Sequence, residues 1–256
     1  MKPRVLIAHA SGTNRDHDAA WAIEAAGGDP EIIHINSLRD GDANILDYQM
    51  LVLPGGFSYG DDLGAGKLWA VALRHRFGEQ LQAFVALGRP VLGICNGFQA
   101  LVKAGLLPAV GGSNRQQATL THNLSGRFER RWVELDPNPD SVSFWLENLD
   151  SSILCPVAHG EGRFVAPEAT LADIEAGHLV AMRYRVPVGT NPYPANPNGS
   201  VNNIAGITNP EGNILGLMPH PENHIVPSQH PRRHQSHTNG SGRKLFENGV
   251  KYGASV

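Results

Sequence analysis

Apolar and mixed segments alternate regularly along the first half of the chain. Uninterrupted apolar runs predict four β-strands, at Arg4–Ala10, Glu31–Asn36, Gln49–Gly56 and Arg89–Ile94. Segments with helical periodicity separate these runs and predict helices at Asp18–Gly28, at Gly66–Leu87 with a break at Gly78, and at Phe98–Leu107. Strands that are apolar throughout are typical of a parallel sheet buried on both faces. The pattern therefore predicts a doubly wound α/β fold, with a mostly parallel sheet and helices on both faces.

The second half of the chain has segments in which polar and apolar residues are mixed more evenly. The elements predicted here are strands at Arg127–Leu135 and His178–Val186, a hairpin of Asn203–Ile207 with Ile214–Pro221, and a last helix at Gly242–Gly253. They predict a smaller mixed or antiparallel extension of the parallel sheet. Because residues suited to chemistry lie in both halves, residues 1–256 are interpreted as one domain.

Composition and charge exclude several classes of protein. The 256 residues are 41% hydrophobic with a formal net charge of −3, which lacks the basic surplus of a nucleic-acid-binding protein. No apolar run reaches the roughly 18 residues of a membrane span, and the short run near the N-terminus fits a strand better than a signal peptide. Two cysteines do not make a disulfide framework. We therefore expect a cytoplasmic protein that binds neither membranes nor nucleic acid.

The sequence GICNGFQ places Cys95 between an apolar strand and a helix, with glycine two positions away on either side. This is the G-x-nucleophile-x-G spacing of a nucleophile elbow, in which a strained turn needs neighbours without side-chain bulk. The helix N-terminus favours a thiolate, and the backbone N–H of Asn96 is suitably placed for an oxyanion hole. The alternative for Cys95 is a buried structural cysteine. Cys155 is interpreted in that way, because it lacks flanking glycines.

The sequence MPHPE provides a candidate base and a group to orient it. His220 lies between two prolines at the end of an apolar run, and Glu222 follows two residues later. In an extended segment this spacing puts both side chains on one side, so that the carboxylate can orient the imidazole. The chain has 12 histidines, and an ordinary surface histidine in a turn is the alternative.

Together these motifs resemble the Cys–His–Glu triad of the class I glutamine amidotransferases, whose fold is flavodoxin-like. The segments GGFSYGD, ICNGFQ, HGEGRF and NPNGS sharpen the likeness to the glutaminase components of phosphoribosylformylglycinamidine synthase. The matching segments extend from Gly12 to Tyr252, nearly the whole chain. Arg15 stands where the family usually has cysteine, Asn223 where arginine commonly follows PHPE, and GDDLGAG where GDYLRAG is common.

The resemblance implies a role for each matching residue. Cys95 attacks the side-chain amide of L-glutamine to form a γ-glutamyl thioester, and His220 protonates the departing ammonia and then activates water. Glu222 orients His220, and the N–H groups of Gly56 and Asn96 form the oxyanion hole. The resemblance also implies substrate-binding residues, which are Gly55, Phe57, Gln99, His159 and Gly160.

The resemblance further implies that the ammonia goes to a synthetase large subunit, sometimes through a small bridging subunit. The large subunit binds ATP and magnesium and converts formylglycinamide ribonucleotide to formylglycinamidine ribonucleotide in purine biosynthesis. No cofactor and no metal are expected on this chain. His230, His234 and His237 have a spacing that could suggest a metal site, but Pro231 opposes the helix that would align them. Their loop is interpreted as a polar segment that faces a partner.

Three alternatives remain open on the sequence. The chain could be a glutaminase for another pathway, although GGFSYGD and NPNGS favour the purine enzyme. It could be a catalytically silent scaffold that binds a partner, which the intact Cys95, His220 and Glu222 speak against. It could also be a stand-alone cysteine hydrolase or protease of the same fold.

Overall fold

The computed structural model describes residues 2–233 and 242–256. Within these residues a nine-stranded sheet has the spatial order β2 (Asp29–His34), β1 (Arg4–His9), β3 (Met50–Leu53), β4 (Val91–Ile94), β11 (Ile214–Leu217), β10 (Ile204–Thr208), β9 (Val180–Tyr184), β6 (Glu129–Pro137) and β7 (Ile153–His159). A separate antiparallel pair consists of β5 (Thr119–Thr121) and β8 (Arg163–Val165). All strands are numbered in chain order.

The five strands from β2 to β11 pair in parallel and form the centre of the molecule. All residues of β3, β4 and β11 are buried, as expected for apolar strands covered on both faces. The first four predicted strands and the doubly wound parallel core are therefore confirmed.

Seven helices lie within the described residues: α1 (Asp16–Ala25), α2 (Ile35–Asp40), α3 (Lys67–Arg76), α4 (Gly78–Ala86), α5 (Asn96–Ala104), α6 (Glu168–Ala176) and α7 (Arg243–Gly253). Helix α1 packs against α7, and α3 packs against α5. The chain moves from β1 to β2 in one direction and then to β3 and β4 in the other. With right-handed crossovers, this reversal places the two helix pairs on opposite faces of the sheet. The predicted break at Gly78 is confirmed, because α3 ends at Arg76 and α4 begins at Gly78.

The remaining strands of the large sheet form an antiparallel extension. The predicted hairpin of β10 and β11 is confirmed, with Thr208 opposite Leu215. Burial alternates along β7, so that Cys155 and His159 lie on the same buried face. This strand was not predicted, and it contains Pro156. Proline is tolerated there because β7 lies at the edge of the sheet.

Topology also locates the edge of the sheet at which a site is expected. The strand order reverses beside β1, and the carboxyl ends of β1, β3, β4 and β11 meet at that edge. Ligands of open α/β sheets bind outside the carboxyl ends of the strands at such a reversal. No helix within residues 2–233 and 242–256 is long and apolar enough to cross a membrane.

Candidate active site

Cys95 occupies a strained turn between β4, which ends at Ile94, and α5, which begins at Asn96. Its backbone has φ +49° and ψ −102°, a conformation that residues with a side chain rarely adopt. A Cβ atom at Gly97 would overlap the carbonyl oxygen of Leu53, so this position requires glycine. The N–H of Cys95 donates to the carbonyl oxygen of Leu217, at 2.8 Å, which ties the turn to the neighbouring strand. The turn thus has the geometry expected of a nucleophile elbow.

His220 and Glu222 lie in the turn after β11, which ends at Leu217 and is shorter than predicted. The Nδ1 atom of His220 is 2.6 Å from Oε1 of Glu222, and both side chains are almost completely buried. Burial lowers the pKa of His220, but the charges of Glu222 and Cys95 outweigh it and raise this pKa to about 10. The Nε2 atom of His220 is buried on the side of the Cys95 thiol, whose hydrogen bonding also raises the pKa of the ring, and no other partner for it is found among the described residues. It is therefore available to a reacting group beside Cys95.

Gly55 and Gly56 follow β3 and bring main chain close to this histidine. A Cβ atom at Gly55 would lie 2.6 Å from Cε1 of His220, so only glycine fits beside the ring. Gly56 has φ +145° and forms an isolated antiparallel bridge with Thr13. In this bridge the N–H of Arg15 donates to the carbonyl oxygen of Gly55, and the N–H of Phe57 donates to that of Gly12. The N–H of Gly56 takes part in neither bond.

The side chain of Asn96 fastens the loop of residues 56–66 onto α5, and this loop is called the oxyanion loop after the role predicted for Gly56. Its Oδ1 accepts from the N–H of Ser58 at 3.1 Å, and its Nδ2 donates to Asp61 at 2.9 Å. The N–H of Asn96 is at the first position of α5 and has no intrahelical acceptor. The two N–H groups predicted for the oxyanion hole thus belong to segments that Asn96 itself holds together.

His159 ends β7, immediately after Ala158, whose carbonyl oxygen accepts a 3.9 Å hydrogen bond from Sγ of Cys95. The Nε2 atom of His159 lies 3.1 Å from Nδ2 of Asn198. Because an amide N–H₂ only donates, Nε2 is the acceptor and the proton of the neutral ring is on Nδ1. Burial, followed by the positive charge of His220, lowers the pKa of His159 to about 3. His159 is therefore a neutral histidine near the thiol.

The other residues predicted to contact substrate differ in their surroundings. Gly160 follows His159, and its carbonyl oxygen accepts from the N–H of Asn123. Phe57 is 48% exposed at the start of its loop. The amide of Gln99 is already bonded within the protein, because Oε1 accepts from Asn96 and Nε2 donates to the carbonyl oxygen of Glu161 at 2.6 Å. Gln99 thus holds protein segments together here.

Two departures from the family pattern meet at one carboxylate. Arg15 donates to Oδ2 of Asp18 at 2.9 Å, and Asn223 donates to the same oxygen at 3.1 Å. Arg15 also packs beside Gly55. The first motif and the segment after MPHPE are thus joined at Asp18.

Cys155 has the surroundings expected of the structural cysteine that the sequence predicts, whereas three charged side chains near the site were not predicted. Cys155 is buried next to Glu222, and burial and that carboxylate raise its pKa, which agrees with a structural thiol. Lys103, Asp61 and the side chain of Glu161 surround the far end of the oxyanion loop. The motif HGEGRF includes Glu161, but the sequence did not indicate which groups the Glu161 side chain contacts.

The histidine-rich segment carries no ligand cluster where it is described. His230 packs on Trp132, with ring centroids 4.6 Å apart. His234 and His237 lie outside the described residues. Within residues 2–233 and 242–256 no group of three or more His, Cys, Asp or Glu side chains is arranged to hold a metal ion.

Comparison with known proteins gives consistent matches over the full length. A model of the CobB/CobQ-like glutamine amidotransferase domain matches residues 2–253. The chain is 46% identical to phosphoribosylformylglycinamidine synthase subunit PurQ of Treponema denticola, covering 98% of this chain and 99% of the relative. It is 42% identical to the subunit of the same name from Dehalococcoides mccartyi, covering 100% and 99%.

Solved structures agree with these matches. The PurLQS structure from Thermotoga maritima contains a chain with a TM-score of 0.73 and 34% identity, covering 98% of this chain and 99% of that one. A putative GMP synthase subunit from Thermoplasma acidophilum has a TM-score of 0.56 at 16% identity, which supports the fold alone.

Proposed function

The chain belongs to the family of CobB/CobQ-like glutamine amidotransferase domains, and from that premise we propose that it is the glutaminase subunit of a phosphoribosylformylglycinamidine synthase. It is a glutamine amidotransferase, and relatives that carry this subunit name match almost its entire length. The observation that carries the proposal is the strained Cys95 beside a histidine whose other nitrogen is held by Glu222.

The proposed reaction uses Cys95 as the nucleophile and Nε2 of His220 as the group that gives and takes protons. The Cys95 thiolate attacks the side-chain amide carbon of L-glutamine, and the carbon–nitrogen bond breaks as Nε2 of protonated His220 gives its proton to the departing nitrogen. Ammonia and a γ-glutamyl thioester result. His220, now neutral, takes a proton from water, which attacks the thioester to release glutamate and the thiolate. Glu222 keeps the ring in one orientation throughout.

The attack of Cys95 on the amide and the later attack of water on the thioester each form a tetrahedral intermediate. In both, negative charge lies on the former amide oxygen. We propose that the N–H groups of Gly56 and Asn96 bind this oxygen. A backbone donor can approach it closely at Gly56, where no side chain intervenes, and Asn96 adds the N-terminus of α5. Gly55, Phe57, Gln99, His159 and Gly160 are proposed to line the glutamine pocket, and the protonated Nδ1 of His159 is a donor with no partner among residues 2–233 and 242–256.

The partner is proposed to be the synthetase large subunit, in some cases joined through a small bridging subunit. ATP and magnesium are expected on the synthetase and no cofactor on this chain. Large apolar side chains are exposed on the loops that border the site, at Phe57, Leu63, Leu124 and Phe128. A partner that covers them would receive ammonia before it reaches water. We place the protein in the cytoplasm, where a reducing environment keeps Cys95 and Cys155 as the free thiols seen here.

The thioester provides the direct test. We expect rapid quenching after addition of glutamine, followed by mass spectrometry, to find a glutamyl adduct on the peptide that contains Cys95. Cys95→Ala should abolish ammonia release, and the matched Cys155→Ala variant should retain the adduct. We also expect the synthetase subunit to stimulate ammonia release. Release by the Cys95→Ala variant at the rate of the wild type would overturn the proposal.

A further inference from the structure

One face of α5 carries three polar side chains that reach the segments around the site. Asn96, Gln99 and Lys103 are spaced by three and four residues, so they lie along one side of the helix. Asn96 holds the start of the oxyanion loop, through Ser58. Gln99 holds the turn after β7, through the carbonyl oxygen of Glu161. Lys103 therefore has the position from which the end of the oxyanion loop can be fixed.

The main chain of Ala65, near the end of that loop, is bound on both sides by one ion pair. Its carbonyl oxygen accepts from Nζ of Lys103, and its N–H donates to Oε2 of Glu161 at 3.2 Å. The two charged atoms lie 4.0 Å apart, and the Lys103 side chain is only 9% exposed. The next residue, Gly66, lies so close to α5 that a Cβ atom there would be 2.8 Å from Cβ of Gln99. Main chain and helix are thus in direct contact at this end of the loop.

Lys103 is a buried cation between two carboxylates. Burial lowers the pKa of its ammonium, and the nearby charges of Glu161 and Asp61 oppose that effect. Asp61 in turn accepts from Nδ2 of Asn96, the residue proposed to donate to the oxyanion. If the cation were lost, two carboxylates of the same sign would face each other across the loop, and the buried charges would be left without compensation.

We infer that Lys103 is a positioning residue for the glutaminase reaction, which fixes the oxyanion loop and the turn of Glu161 against α5. The inference rests on the proposed function. It requires no contact between Lys103 and glutamine, because its effect reaches the substrate through Ala65 on one side and through Glu161 on the other. The groups displaced by its loss would be the Gly56 donor and the main chain after His159.

Such a role predicts an effect on the chemical step more than on binding. Oxyanion donors act when charge develops on the oxygen, so their displacement lowers the rate at saturating glutamine. A misplacement of about 1 Å can cost on the order of 100-fold. A distortion spread over the whole oxyanion loop should cost less, and for Lys103→Met we expect the rate constant of thioester formation to fall about tenfold. The glutamine concentration at half-saturation should change less than about twofold.

The experiment measures thioester formation by rapid quenching for the full chain in wild-type, Lys103→Met, and Lys103→Met with Glu161→Gln. The double variant removes both charges and leaves a side-chain oxygen at position 161 to accept from Ala65. We expect its rate to recover in part, to about threefold below the wild type, because loss of the Glu161 charge ends its repulsion with Asp61 while the carbonyl oxygen of Ala65 still lacks its Lys103 donor. Lys251→Met, which removes an exposed lysine paired with Glu147, is the matched control and should equal the wild type.

The outcomes separate the possible failures. Rates are expressed per reactive site, counted by alkylation of Cys95, so that loss of folded protein does not imitate a slower step. Absence of any thioester in the wild type would refute the proposed function itself. A wild-type thioester together with an unchanged rate in Lys103→Met would overturn the inference. A double variant no faster than Lys103→Met would also overturn it, because compensation of the Glu161 carboxylate by Lys103 would then have no part in the effect.

Discussion

His220 and His159 are two buried histidines at strand ends in the two halves of the sheet, and their pKa values move in opposite directions. The pKa of His220, after the parallel strand β11, is raised to about 10 despite burial, because Glu222 and Cys95 are beside it. The pKa of His159, at the end of the antiparallel strand β7, is lowered to about 3 by burial and by the charge of His220. Both side chains are shielded from water, so burial does not explain why the two rings differ in charge.

The difference lies in the partner of each ring. His220 has a carboxylate on Nδ1, which stabilises the imidazolium and leaves Nε2 for proton transfer. His159 has a donating amide on Nε2, which stabilises the neutral ring with its proton on Nδ1. In the proposed reaction, the parallel half thus supplies the acid and base, and the antiparallel extension supplies a neutral donor. Changing the hydrogen-bond partner of each histidine ring is the most direct test of this difference between the two halves.

The largest effect is expected when His220 loses its carboxylate. In Glu222→Gln the pKa of His220 should fall, because burial is then opposed by Cys95 alone, and the ring is no longer held in one tautomer. The rate of thioester formation should drop by about 10⁴-fold, the scale seen when the carboxylate of a catalytic triad becomes an amide. Histidine-labelled NMR titration measures the pKa, and rapid quenching measures the rate.

Glu79→Gln, an exposed position on α4, is the matched control for this change. It should leave both the rate and the titration of His220 as they are in the wild type. A loss of less than tenfold in Glu222→Gln would mean that the carboxylate does not govern the ring, and the comparison between the two histidines would lose its basis.

A smaller effect is expected when His159 gains a carboxylate. Asn198→Asp would place an acidic oxygen about where Nδ2 now lies, 3.1 Å from Nε2 of His159. The pKa of His159 should rise, and the protonated ring would then repel the imidazolium of His220. We expect thioester formation to slow by about tenfold, since close buried charges interact by a few kcal/mol at most after screening.

The control for this variant lies on the same loop. Asn191→Asp makes the same chemical change at an exposed residue whose side-chain oxygen accepts from the N–H of Tyr193, a bond that aspartate can keep. If NMR found His159 still neutral in Asn198→Asp at pH 6, the amide would not be what determines the protonation state of that ring.

The parallel half of the fold could be predicted from sequence because each of its strands is an uninterrupted apolar run. The extension was harder to predict, since its strands are half-buried and β7 contains Pro156, which usually argues against a strand. Helix α6 was missed for a related reason: only Ile174 of its residues is buried, so it has almost no apolar face. Edge elements contribute little to the core, and their patterns are correspondingly weak.

The candidate site likewise has one part that could be predicted from sequence and another part that could not. Cys95 with its glycines, and His220 with Glu222, interact within a few residues of each other, so local spacing indicated both geometries. The bonds of Gln99 and Ala65 to Glu161 join residues 62 and 96 positions apart. The meeting of Arg15 and Asn223 at Asp18 likewise joins distant turns. No local pattern encodes such contacts, because they depend on how loops from both halves of the sheet converge.

The smallest effect concerns stability, where the two histidines should act with opposite signs. The folded pKa of His220 is above the reference value of 6.5, so its contribution is present below pH 6.5 and is lost as pH rises towards 10. The folded pKa of His159 is below 6.5, so the unfolded chain binds more protons between pH 6.5 and 3, and stability falls as pH falls through that range.

Replacing His159 by glutamine should therefore remove one component of the acid dependence of stability. Its free energy of unfolding should decline with falling pH less steeply than that of the wild type, by about 1.4 kcal/mol per pH unit below pH 6.5. Urea titrations at pH 6.5, 5.5 and 4.5 would measure the difference, with His17→Gln at an exposed position of α1 as the control. Parallel profiles for wild type and His159→Gln would mean that His159 is protonated in the folded protein, and the contrast with His220 would not hold. The alkaline side is unsuited to this test, because removing His220 leaves Glu222 buried without its partner, and its uptake of a proton would imitate the loss of the imidazolium.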